Sequence, residues 1–241
     1  MVSLFFLYVY AVHNNLSRQN VHCPQDIMSI GRKKPPVRTT FRHGDLRRAL
    51  LQAGIELARG GGPGAVVLRE ATRRAGVAPN AAYRHFASHG DLLQAVRAAA
   101  LSSLARAMEA EIALVRLSKR PGEFARATLR AVGAGYLKFA LTETGLFRTA
   151  FSVRDAVEGD TDAAKTGESG LNPFQLLSSA LDLMADAGVL PPERRRGAEY
   201  LAWAAVHGLA FLVIEGPLNG ASAKDIHALS ERLLRMVENG L

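Results

Sequence analysis

The stretch L-R-E-A-T-R-R-A-G-V-A-P-N-A-A-Y-R-H-F, Leu68 to Phe86, decides how this chain reads. Two short helices meet in it at Ala75-Gly76-Val77. A glycine there permits the left-handed backbone of a tight turn, and Pro79 opens the second helix at a position where a missing N–H costs nothing. Helical spacing turns Leu68, Ala71 and Ala75 inward, Val77 fills the turn, and Ala82 and Phe86 anchor the second segment, read as Pro79 to Phe86. The outer face and N-terminal end of that segment then carry Pro79, Asn80, Ala81 and Arg84. This is the layout of a helix-turn-helix whose second helix is free to lie in a major groove. Asn pairs bidentately with adenine and Arg with guanine, so Asn80 and Arg84 are candidate base readers, each worth about 1–3 kcal/mol of discrimination. Thr72, Tyr83, His89 and Arg42 are candidate phosphate contacts, which fix register without reading sequence. A helical hairpin whose arginines only keep it soluble satisfies the same spacing.

Outward from this stretch, Gly and Pro punctuation divides the chain into helices, with no convincing period-two alternation. The expectation is an all-α protein of about nine helices. Helix one runs from Asp45, a candidate cap, to Arg59, with Leu46, Leu50, Ala53 and Leu57 on one face and Gly60-Gly61-Gly62-Pro63-Gly64 as its stop. Leu68 to Ala75 and Pro79 to Phe86 follow, then a long helix from Asp91 to about Ile112. Beyond Pro121 the pattern predicts helices over 121–140, 143–151, 173–187, 192–214 and 223–239, with a polar, mobile loop over 155–170. Three regions result: 1–42, an extension and basic arm expected to be disordered; 43–103, a three-helix DNA-binding domain; and 104–241, a larger helical domain for ligand binding and dimerisation.

Charge supports that division. Residues 31–97 carry 13 Lys or Arg against 4 Asp or Glu, whereas residues 98–241 carry 16 against 17. A local excess of this kind makes a field for a polyanion, and double-stranded DNA is the natural partner. The segment S-I-G-R-K-K-P-P-V-R-T-T after Met28 reads as a basic arm ahead of such a domain, with Met28 as an alternative start of the natural protein. The single cysteine, Cys23, excludes an intramolecular disulfide framework and any multi-cysteine zinc site, in keeping with a reducing cytoplasm. Leu4 to Val12 is too short to span a bilayer and has no preceding Lys or Arg, so neither a membrane segment nor an export signal is expected. The chain has no H-E-x-x-H, nucleophile elbow or phosphate-cradling glycine loop, so no metal, cofactor or enzymatic activity is expected.

L-R-E-A-T-R-R-A-G-V-A together with Y-R-H-F, in register, resembles the DNA-binding domain of the tetracycline-repressor (TetR) family of bacterial regulators over residues 43–103. The resemblance implies a homodimeric repressor that reads a palindromic operator and is released by a small-molecule effector. Three positions depart from the family pattern. Val67 stands at a usual Ser/Thr cap, Ala78 stands at the usual Ser cap of the reading helix, and His89 replaces a phosphate-binding Lys. A lost cap typically costs about 1 kcal/mol, and a His in place of Lys makes its contact weaker and open to pH.

In the larger domain, Tyr200 to Ile214 is apolar almost all round, as in a helix buried on more than one side. Leu201, Ala205, Gly208 and Leu212 share one face, suited to packing across a dimer or against the last helix, while Trp203, His207, Ala210 and Ile214 share the opposite one. The last helix has a stripe of Ile226, Leu229, Leu233, Met236 and Val237, leaving Lys224, Glu231, Arg232, Arg235 and Glu238 for other faces. In the resembling family the last two helices form a four-helix dimer interface, which assigns that role to Leu201, Ala205, Gly208, Leu212, Leu229, Leu233 and Met236. Trp203 to Gly208, W-A-A-V-H-G, is also similar to the motif of a subgroup named for its Trp, His and Gly. Phe124, Tyr136, Phe139, Phe147, Phe151, Phe174, Trp203, His207 and Phe211 concentrate aromatics here, most of them as core. Since the family implies a pocket, Tyr136, Phe147, Trp203 and His207 are its candidate lining. A ligand-sensing or non-specific DNA-binding helical protein without operator-specific repression is the alternative.

Overall fold

The computed structural model describes residues 43–153 and 157–241; Arg42, the basic arm and Cys23 lie outside them. Among the described residues the chain is all-α, with ten helices: α1 (His43–Gly61), α2 (Leu68–Ala75), α3 (Pro79–Ala82), α4 (His89–Ile112), α5 (Pro121–Thr142), α6 (Thr144–Ala150), α7 (Pro173–Asp186), α8 (Pro192–Arg195), α9 (Ala198–Ile214) and α10 (Ala223–Gly240). No described helix is long and apolar enough to cross a membrane.

The N-terminal head is α1 to α3 closed by the start of α4. Leu50, Ala53 and Leu57 of α1 meet Leu68, Ala71, Ala82, Phe86, Leu92 and Val96 in one buried cluster. Gly76 takes φ 69° at the end of α2, and its N–H closes onto the Thr72 and Arg73 carbonyls, which sets the turn. Val67 and Ala78 offer no side-chain cap to α2 or α3. A cap that sequence reading missed lies at Ser88: its Oγ accepts from the Asp91 N–H and the Asp91 carboxylate accepts from the Ser88 N–H, both at 3.1 Å. This capping box starts α4 at His89, two residues earlier than expected.

From the head α4 runs unbroken into the larger domain. There α5 lies against it so closely that a Cβ on Gly135 would stand 2.5 Å from the Met108 Cα. Gly133 plays the same part for α10, whose Leu234 side chain occupies the space a Cβ would need. The predicted 192–214 helix is two helices, because Gly197 at φ 79° breaks it; the left-handed region ends a helix, and glycine enters it without strain.

Two further expectations are overturned. The loop after α6, expected to be mobile, is tied down over 158–172. Lys165 pairs with Asp160 at 2.7 Å, Ser102 Oγ donates to the Thr166 carbonyl at 2.6 Å, and the buried Glu109 carboxylate accepts the N–H groups of Glu168 and Ser169, each at 2.9 Å. Most of its residues remain solvent-exposed, yet two backbone N–H groups and the Ser169 hydroxyl turn inward to the buried carboxylate. Likewise Glu238, expected on an outer face of the last helix, is buried; it accepts from Arg130 Nη1, and Arg126 Nη1 bonds its backbone carbonyl at 3.3 Å.

Candidate DNA-reading face and effector cavity

The α2–α3 unit presents a polar surface on an apolar support. Ala82 and Phe86 are buried, while Pro79, Asn80, Tyr83, Arg84 and His89 are exposed and Ala81 is partly so. The reading helix proper is a single turn, Pro79–Ala82, shorter than expected, and the chain then closes through His85 N–H and Phe86 N–H bonds to the Ala82 carbonyl. The guanidinium of Arg47 on α1 lies 5.2 Å from the centre of the Phe86 ring, holding a cation beside the end of this segment. On α2, Arg73 and Arg74 both bond Glu70, and the Arg73 pairing above all holds that carboxyl at about 2.

Thr72 is a correction. The fold buries it, and its hydroxyl donates to the Arg69 carbonyl at 2.7 Å, so it braces α2 from within instead of facing a phosphate. Its place two residues after glutamate on a short amphipathic helix gave no warning of this. Arg42 lies outside the described residues.

The larger domain encloses a cavity between α4, α5, α7, α9 and α10, roofed by the tied-down loop. Its volume is about 90 Å³, counted as space open to the centre of a water molecule. A single water needs about 10–15 Å³ by that measure, so the cavity is sized for a small organic molecule. Tyr136 and Trp203 line it, with Phe151 and Phe174 beside them. The Trp203 Nε1–H donates to the Tyr136 oxygen at 3.1 Å, and that hydroxyl lies 2.7 Å from His207 Nδ1. Burial pushes the Tyr136 phenol above the usual tyrosine range and the His207 imidazole below the usual histidine range. Both groups therefore stay neutral near pH 7, and the 2.7 Å contact is a hydrogen bond between a neutral phenol and a neutral imidazole.

Phe147 and His207, expected on the cavity wall, stand behind it. The Phe147 ring packs edge-on against Tyr136 at 5.7 Å, and His207 lies 5.4 Å from Phe147. Phe124 and Phe139 belong to the core, and Phe211 is not in the cavity at all but more than half exposed. The lining residues that sequence reading did not single out include Arg130, Asp160, Lys165, Asn172 and Leu177. The only legible signal among these was local: Asn172-Pro173 with Gln175 forms a capping box, which places Asn172 at the mouth of α7 but not which way the helix faces.

Between cavity and head stands α6. Gly145 at its start approaches the end of α1 so closely that a Cβ would lie 2.2 Å from the Ala58 carbonyl oxygen, and Glu143 accepts from Arg59 at 2.7 Å. At its other end Phe151 lines the cavity. One short helix therefore touches both regions.

Among the described residues, no element covers an apolar strip on the outer side of α9 and α10. Leu201 is 66% exposed, Met236 61% and Phe211 54%, with Leu212 exposed beside them. Ala205, Gly208, Leu229 and Leu233 are half-buried.

Residues 50–96 match the family model of bacterial regulatory proteins of the tetR family, and residues 129–237 match that of the tetracyclin repressor-like C-terminal domain. Neither description addresses the Trp/His/Gly subgroup. A comparison with curated proteins finds no significant match. Among solved structures, a protein of unknown function from Rhodococcus sp. RHA1 is 26% identical, with a TM-score of 0.63, over 82% of this chain and 98% of that one. A provisionally assigned tetR family transcription regulator from Shewanella sp. PV-4 is 17% identical, with a TM-score of 0.53, over 78% of this chain and 95% of that one; at this identity the likeness is one of fold.

Proposed function

Because the chain belongs to the TetR family of bacterial regulatory proteins and has their DNA-binding architecture, we propose that it is a homodimeric repressor that reads a palindromic operator and releases it when a small molecule enters the cavity. It acts as a cytoplasmic transcription factor and not as an enzyme. The observation that carries this reading is the exposure of Asn80 and Arg84 on a segment whose anchors, Ala82 and Phe86, are buried. Such a segment enters a major groove without disturbing the head's core, with Pro79, Ala81, Tyr83 and His89 against the backbone or adjoining bases.

Dimerisation follows from the bare apolar face of α9 and α10. Contiguous apolar patches are rare on monomers and mark interfaces. Leu201, Ala205, Gly208 and Leu212 of α9, with Leu229, Leu233 and Met236 of α10, form the interface with a second copy. Two heads are then held about one DNA turn apart, so that a palindrome is read by a two-fold dimer. The domain limits follow: 43–103 reads DNA, and 104–241 dimerises and binds the effector.

An effector releases DNA only if it binds the DNA-free form better. The route is α6: displacement of Phe151 by a ligand moves a helix whose Gly145 end has no slack against α1. Selection of bound sequences from a random DNA pool tests the whole reading. The expected product is a palindrome, bound tightly by the wild type and weakly by the Asn80→Ala and Arg84→Ala variants. Binding without sequence preference, undiminished in both variants, would refute it.

A further inference from the structure

The cavity's own chemistry selects among effectors. Every charged or amide side chain that lines it already has a protein partner. Arg130 is bonded to the buried Glu238, Lys165 to Asp160, and Asn172 to both the Gln175 N–H and the Asp160 carbonyl. The Tyr136 hydroxyl lies between Trp203 Nε1 and His207 Nδ1 and is hydrogen-bonded to both. The remaining wall is hydrocarbon and rings: Leu101, Met108, Leu129, Val132, Leu177 and Val206 face Tyr136, Phe151, Phe174 and Trp203. Those four rings form a connected series, with centroids 6.1 Å apart for Tyr136–Phe151, 5.9 Å for Phe151–Trp203 and 6.5 Å for Phe174–Trp203.

We infer that this cavity takes a compact, neutral and predominantly apolar effector, with a ring against the Phe151–Trp203–Phe174 wall, and rejects molecules carrying a fixed charge. The inference rests on the effector-sensing reading above. A neutral apolar ligand leaves every existing polar pair intact and gains the burial of its own surface. A charged one either stays unpaired in a hydrocarbon-lined space or breaks an ion pair whose abandoned member is partly desolvated, and both are costly. An anion is the harder case to reject, because Arg126 and Arg130 share the single carboxylate of Glu238. Yet Arg126 also bonds the Glu238 backbone carbonyl and the Asn239 side chain, so this cluster is satisfied without a ligand. Treated as a sphere and widened by a water's radius, that space gives roughly 300 Å³ for atoms, the lower end of small-molecule sites and room for one or two rings.

Trp203 is the only tryptophan in the chain and lines the cavity, so its emission reports occupancy directly. The experiment titrates the full chain with methyl benzoate, benzoate and benzylammonium, which share a ring and differ in charge, following Trp203 emission and melting temperature. Methyl benzoate is expected to shift both and to bind at least about tenfold more tightly than either ion. The Ala202→Leu variant, which fills the cavity from α9, is expected to lose that binding while melting at or above the wild-type temperature. Benzoate or benzylammonium binding as well as the ester, no binding by any of the three up to their solubility, or full binding by Ala202→Leu would each overturn the inference. Gel shifts on the selected palindrome, run on the same samples, keep it apart from the sensing reading: selective ester binding with no release of DNA sustains the ligand class while refuting sensing.

Discussion

The head and the larger domain handle polar groups in opposite ways. In the head, Asn80, Tyr83 and Arg84 stand in solvent on a thin apolar support, and the surplus of positive charge belongs to this part of the sequence. In the larger domain the polar groups that matter are turned inward and consumed by one another: Glu109 by a loop, Glu238 by two arginines, Tyr136 by Trp203 and His207. The difference teaches that the candidate reading surface leaves Asn80 and Arg84 facing solvent even though Arg73 and Arg74 beside them pair with Glu70, whereas the cavity's polar wall is paired within the protein. Substitutions of the exposed reading residues should therefore cost affinity, while those at caps and packed contacts in either region should cost stability.

The largest effect is expected at Gly135. A side chain there meets the backbone of α4 at Met108, which cannot swing aside as a flexible side chain would. Gly135→Ala should cost about 3 kcal/mol or more, read as a fall in melting temperature, since overpacking against backbone lies at the upper end of such penalties. A neutral outcome would mean that α4 and α5 separate easily. Next come Asn80→Ala and Arg84→Ala, each expected to weaken the selected operator by about 1–3 kcal/mol, or roughly 5- to 150-fold, with melting unchanged. A fall in stability comparable to the fall in affinity would erase the contrast between the two regions. Ser88→Ala should cost about 1 kcal/mol of stability, because it removes the only side-chain partner shown for the Asp91 N–H at the start of α4.

The smallest expected effect is a pH dependence centred on His207. Burial lowers its folded-state pKa, so as pH falls through the ordinary histidine value of about 6.5 the unfolded chain takes up a proton that the folded chain refuses. Stability is full above that value and declines as pH drops below it, and an imidazolium leaves Nδ1 able only to donate to the Tyr136 oxygen. Replacing His207 by Gln, which keeps an acceptor without titrating, should flatten the acid limb of a melting-temperature profile. An unchanged limb would assign the pH dependence elsewhere.

Much of the head was readable from residue order alone. Its contacts lie close in sequence, and Gly76, Pro79 and the apolar spacing of Leu68, Ala71, Ala82 and Phe86 leave few ways to fold. What escaped there was small and local: Thr72 turned inward because its hydroxyl found the Arg69 carbonyl, and Ser88 reached Asp91 to start α4 early. In the larger domain the helices were legible but their faces were not. Tyr136 and Trp203 do line the cavity, yet Phe147 and His207 stand behind them and Phe211 turns outward. A helix apolar on every side does not declare which neighbour it will choose.

The order of amino acids by itself determined an all-helical chain with a helix-turn-helix, a positive N-terminal third and an apolar penultimate helix, because periodicity, turn chemistry and charge act over a few residues. Only the tertiary structure decided that Glu109 clamps the loop roofing the cavity, that Glu238 is buried against Arg130, and that Gly135 and Gly145 are points of close approach. Those facts depend on segments tens of residues apart arriving at one place, and no local preference carries that information.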